Sequence, residues 1–121
     1  MIFSGVSKTF STVGNNQFNS IGQFWDSLSE KYGRENLRGL GYNWTDTTIE
    51  YVIGLKNGSV SEENCKVKLP DKGWVLAKGR TDELAQIYGE IYKISPLKYE
   101  IETFDSTGEL CEILYIRVQE K

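Results

Sequence analysis

The chain has 121 residues, two cysteines, no histidine and a net charge of -3, which excludes histidine-based catalytic triads and dyads, four-thiolate zinc sites and a basic grip on phosphates. At 39% hydrophobic and 26% charged it suits one packed domain, residues 1–121, that needs no disulfide or metal to fold. Residues 2–12, IFSGVSKTFST, alternate roughly between polar and β-branched or aromatic side chains and predict a strand. Gly14-Asn15-Asn16 is a turn signal. A helix follows from Ser20, where Ile21, Phe24, Trp25, Leu28 and Tyr32 form one apolar stripe and Gly33 is placed to cap the end. LRGLGYNW (37–44) and TIEYVIGLKN (48–57), joined by Thr45-Asp46-Thr47, predict a hairpin. The hydrophilic loop NGSVSEEN comes next, then a short strand at Cys65–Leu69, a turn at 70–73 and a strand at 74–80. Thr81 is expected to cap a second helix, TDELAQIYGEIYKI, with Leu84, Ile87, Tyr88, Ile91 and Tyr92 on its stripe and Asp82 and Glu83 in its first turn. Pro96 ends it, and residues 97–105 and 109–119 form a closing hairpin around Ser106-Thr107-Gly108.

The order strand, helix, strand, strand occurs twice, over residues 1–58 and 65–121. It predicts an α+β fold: an antiparallel sheet with two helices on one face and a small-molecule cleft between two related halves. Alternation places Glu100, Glu102 and Phe104 on one side of their strand, and Tyr99, Ile101 and Thr103 on the other. In the last strand the aliphatic set Leu114, Ile116 and Val118 suits packing under the helices, which turns Ile113, Tyr115 and Arg117 the other way. Leu40, Tyr42 and Trp44 align together in the first hairpin, as do Tyr51, Ile53 and Leu55. The helix-free face is therefore expected to carry Glu102, Phe104 and Tyr115, with aromatics of the first half nearby. A carboxylate among ring faces suits a flat, lipophilic cation, each ring contributing ~0.5–2 kcal/mol.

IGQFWDSL (21–28), GYNW (41–44) with EYVIGL (50–55), LPDKGWVLAKGR (69–80) and IETFD (101–105) with CEILYIRV (111–118) together resemble the GyrI-like small-molecule-binding domain, the effector-binding part of bacterial multidrug-responsive transcription activators. The likeness spans nearly the whole chain and implies a tandem strand-helix-strand-strand fold. It implies that Glu102 is the buried acid of a ligand pocket and Tyr115 its tyrosine, with Phe104, Trp25, Tyr42 and Trp44 as further pocket aromatics. Two departures stand out. The chain is short after the second helix, and Arg117 stands where the family usually has proline. An Arg117 reaching Glu102 would neutralise it.

These readings lead to a stand-alone domain that binds or senses aromatic, cationic lipophilic compounds. Neither predicted helix is free to act as a DNA-reading helix-turn-helix, so any regulation would pass through a separate protein or a homodimer. One alternative, implied by the same resemblance, is a hydrolase of cyclopropane-containing genotoxins with Glu102 as general base. Another is a gyrase-inhibitor-like interaction module presenting Glu62, Glu63, Glu109 and Glu120. No metal, cofactor or membrane contact is expected. The start has no long apolar stretch and no run nears the ~20 apolar residues of a membrane span, so a cytoplasmic location with reduced cysteines is the expectation. Asn43-Trp44-Thr45 and Asn57-Gly58-Ser59 match the glycosylation pattern incidentally. Gly39, Gly41, Gly54 and Gly79 are read as sheet bends or bulges, and Cys65 and Cys111 as inert thiols.

Overall fold

A computed structural model describes residues 1–118; Gln119, which ends the last predicted strand, and Glu120 of the acidic set lie outside the described residues. The elements are β1 (Ile2–Ser11), α1 (Gln17–Tyr32), β2 (Leu37–Tyr42), β3 (Thr48–Leu55), β4 (Cys65–Lys68), β5 (Val75–Arg80), α2 (Leu84–Ile94), β6 (Leu97–Phe104) and β7 (Leu110–Arg117). Seven strands form one open sheet in the order β4-β1-β3-β2-β6-β7-β5, every neighbouring pair antiparallel. With two helices added, this is an α+β protein. Among the described residues no helix is long and apolar enough to cross a membrane.

The apolar stripe of α1 buries Phe24, Trp25 and Leu28 against Leu37, Tyr51, Ile53, Phe104 and Cys111 of the sheet. That of α2 buries Tyr88 and Ile91 against Leu97 and Ile113. On the opposite face β1 serves two ladders. Val6–Ser11 pair with β3, and Ile2–Gly5 pair with β4. The handover lies where β1 passes β3 so closely that a side chain on Gly5 or Gly54 would run into the other strand's backbone. Phe3 thereby packs, fully buried, on Leu40, Val52, Leu69 and Ile101, a burial that stabilises by about 2–3 kcal/mol.

Several expectations are corrected. Glu100, Glu102 and Phe104 face the helices, as do Ile113, Tyr115 and Arg117, whereas Leu114 points away and stays 37% exposed. Alternation separates two sets of side chains without saying which set meets the helices. Trp44 parts from Leu40 and Tyr42 because it lies beyond the end of β2 and turns back to the helix side. Helix α1 begins at Gln17, ahead of Ser20, after a 3-10 turn in which Gly14 and Asn15 take φ of 66° and 59°. Thr81 is not a side-chain cap: its hydroxyl donates to the Gly108 carbonyl at 2.6 Å, tying the α2 entry to the β6–β7 turn. Gly39, Gly41, Gly54 and Gly79 sit in unbroken register; among the described strands the register shift lies between Leu97 and Tyr99.

Candidate functional site

A cavity of about 340 Å³ opens on the helix side of the sheet, near the lower end of the range for small-molecule sites. Its floor is Ile49 and Tyr51 of β3 with Glu100, Glu102 and Phe104 of β6. Phe18, Ile21 and Trp25 of α1 form one wall; Leu84, Tyr88 and Tyr92 of α2 form the other. Trp44, Arg34 and Gln17 also line it.

The floor owes its shape to β2. Gly39 lies opposite Glu102, and Gly41 opposite Glu100, across the β2–β6 ladder. A Cβ on Gly41 would stand 2.7 Å from Glu100 Oε1, and one on Gly39 would stand 2.7 Å from Trp25 Cζ2 and collide with the Tyr51 hydroxyl. The two missing side chains give room for two acids and a tyrosine on the floor. This is the role of Gly39 and Gly41, in place of the bend or bulge expected of them.

Both carboxyl groups are withdrawn from water, Glu100 being 4% and Glu102 5% exposed. Trp25 Nε1–H donates to Tyr51 Oη at 2.9 Å, and the Tyr51 hydroxyl donates in turn to Glu102 Oε1. The Tyr92 hydroxyl, reaching in from a half-open ring, donates to Glu100 Oε2 at 2.8 Å. Two further buried atoms of the lining, Glu102 Oε2 and Tyr88 Oη, have no hydrogen-bond partner, and neither has Gln17 Oε1 nearer α1's start.

Burial first, and then the charge of Glu102, push the Glu100 carboxyl up to about 8, against the pull of the Tyr92 hydrogen bond. Burial also raises Glu102, against the hydrogen bond from Tyr51 and weaker pulls from the nearby Tyr88 hydroxyl, Arg34 and the Trp25 indole, none of which stands in hydrogen-bond geometry with it. The Tyr51 and Tyr88 hydroxyls are kept well above their ordinary value, chiefly by burial and then by the glutamates, so they remain donors. Among the described residues neither glutamate forms an ion pair with a lysine or arginine. Arg34, the cation in the lining, is bound to Asp26 at 2.6 Å and stacks over Trp25 and Phe104.

Of the residues expected at the site, Glu102, Phe104, Trp25 and Trp44 meet in this cavity. Tyr42 lies behind the sheet against Tyr99 and half-buried Cys65. Tyr115 is on the helix side, opposite Glu100 in the β6–β7 ladder, but packs on the cluster of Tyr88, Ile91 and Ile113. Arg117 does not reach Glu102. Its Nη1 donates to the Ile91 and Ser95 carbonyls, both at 2.8 Å, closing the α2 C-terminus while the guanidinium stacks on Tyr115.

Sequence reasoning passed over Glu100, Tyr51, Tyr88 and Tyr92 as site residues. Glu100 was legible as the i−2 partner of Glu102 on one strand face, and Tyr88 and Tyr92 as an i, i+4 pair; their rings stack at 5.6 Å. Among the described residues no group of three or more Cys, Asp or Glu is placed to hold a metal ion. No family model, curated protein or solved structure matches the chain.

Proposed function

We propose that the protein is a small-molecule-binding domain whose cavity takes a flat, lipophilic organic cation. One observation carries this reading: two buried carboxyl groups, neither ion-paired with a lysine or arginine, on the floor of an aromatic-lined cavity. Burying an unpaired carboxylate is costly, and a bound cation offsets that cost. Trp25, Trp44, Phe104 and Tyr88 supply ring surface at ~0.5–2 kcal/mol per cation–π contact. The element order β1-α1-β2-β3 and β5-α2-β6-β7 supports a view of the domain as two related halves joined at the β2–β6 ladder, with the cavity above the junction. The resemblance to GyrI-like domains points the same way.

Titration with a cationic aromatic dye, followed by tryptophan fluorescence and calorimetry, tests the reading. Saturable binding that Glu102→Gln weakens at least tenfold is the expected result. Equal affinity for the cation and its neutral isostere in the unaltered protein overturns it.

A second reading, the hydrolase, is favoured by the free Oε2 of Glu102, which could take a proton from a water attacking a bound electrophile. Product formation that Glu102→Gln abolishes while binding persists separates it from simple binding.

A further inference from the structure

We infer that the cavity selects cations that bear N–H donors, such as protonated amines, amidines or guanidines on a flat ring system, over quaternary cations of the same size and charge. The inference rests on the proposed cation-binding role and adds the class of cation.

Three polar atoms of the lining lack partners: Glu102 Oε2, Tyr88 Oη and Gln17 Oε1. The first two belong to side chains 5% and 4% exposed, so water does not reach them freely. Two of the three are acceptors, and the third is a hydroxyl that can accept as well as donate. The two oxygens that can only accept thus leave a demand for donors, centred on Glu102 Oε2. Glu102's other oxygen is already served by Tyr51, itself held by Trp25, so the carboxyl group is fixed with Oε2 left over. Arg34 also borders the cavity, but its one side-chain hydrogen bond runs from Nη2 to Asp26 and none reaches Glu102, so Oε2 is left to a ligand.

A quaternary ammonium satisfies charge and ring contacts and leaves Oε2 without a hydrogen bond, now sealed further from water. A primary ammonium satisfies both. Leaving a buried charged acceptor unpaired is penalised strongly enough for a preference of roughly tenfold or more.

The test compares 2-naphthylmethylammonium with its N,N,N-trimethyl counterpart and with neutral 2-naphthylmethanol, on the whole chain, by tryptophan fluorescence and calorimetry. The expected result is tenfold or greater preference for the primary ammonium, reduced to near parity in Glu102→Gln and only in part in Tyr88→Phe, with circular dichroism confirming that each variant is folded. Equal or tighter binding of the trimethyl compound overturns the inference and leaves a cation site standing. A preference that survives both substitutions overturns its assignment to these atoms. If neither cation binds better than the alcohol, the proposed function falls, and this inference with it.

Discussion

Glu100 and Glu102 project from the same face of β6 into one cavity, each held by a tyrosine hydroxyl from a different element: Tyr92 of α2 for the first, Tyr51 of β3 for the second. Like charges so close resist joint ionisation, and burial resists either one.

Stability is expected to fall as pH rises. Glu100 is lifted from 4.5 to about 8 in the folded protein. The folded state therefore binds this proton more tightly than the unfolded state, and fewer protons are bound on unfolding. The contribution is complete below pH 4.5, diminishes between 4.5 and about 8, and is gone above that. The maximal slope is about 1.4 kcal/mol per pH unit, so the loss is on the order of a few kcal/mol. Urea unfolding at pH 5, 7 and 9 measures it, and Glu100→Gln should flatten the profile.

Binding of a cation at pH 7 should expel a proton. A positive group beside the two carboxyls favours ionisation of both, so the proton held by Glu100 leaves as the ligand enters. Calorimetry in buffers of different ionisation enthalpy should report release approaching one proton per cation in the unaltered protein and close to none in Glu100→Gln. A binding enthalpy independent of buffer would contradict the shared-proton picture.

Tyr88→Phe should leave stability unchanged or raise it by up to about 1 kcal/mol, because it deletes a buried hydroxyl that has no partner. A core tyrosine to phenylalanine change that lowered the urea midpoint substantially would mean that Oη is bonded in solution.

Arg117→Ala should cost about 1–2 kcal/mol by freeing the Ile91 and Ser95 carbonyls at the end of α2. Amide exchange should speed up in the last turn of that helix. Affinity for cations should stay the same, since the guanidinium is tied to the helix end and away from Glu102.

Much of the architecture could be read in the residues, because strand alternation and helical stripes are local signals. Phe24, Trp25 and Leu28 were all legible as the buried stripe of α1. Two things were not. The pairing of Ile2–Gly5 with β4 depends on residues 60 to 66 positions apart, which no local pattern encodes. The side of the sheet that meets the helices was also hidden. Leu114 looked like the natural core residue of its strand, yet on the helix-free face Phe3 and Leu69 pack on Leu40, Val52 and Ile101 and leave Leu114 open. Ile113 is the residue buried under α2, and Glu102 follows it as its partner in the β6–β7 ladder. The site itself was half visible. An acid near aromatics stood out, but Glu100, on the same strand face, was given no role beside it, and Tyr42 lined up with the right strand on the wrong face.

Gly39→Ala and Gly41→Ala should each destabilise by about 1–3 kcal/mol, as overpacking does. Thermal unfolding of the two variants measures this directly.

The way those glycines serve the floor has a further consequence for variation of the chain. Position 41 and position 100 share a single volume, as Gly41 is bare where the Glu100 carboxylate leans across it. The two sites should therefore change in concert. An alanine at 41, harmful beside glutamate, should become tolerable once residue 100 is reduced to serine or alanine. A double-mutant cycle would read that trade as a coupling energy, and a descendant that abandoned its acid would be free to grow a side chain in the gap and close the chamber into ordinary core.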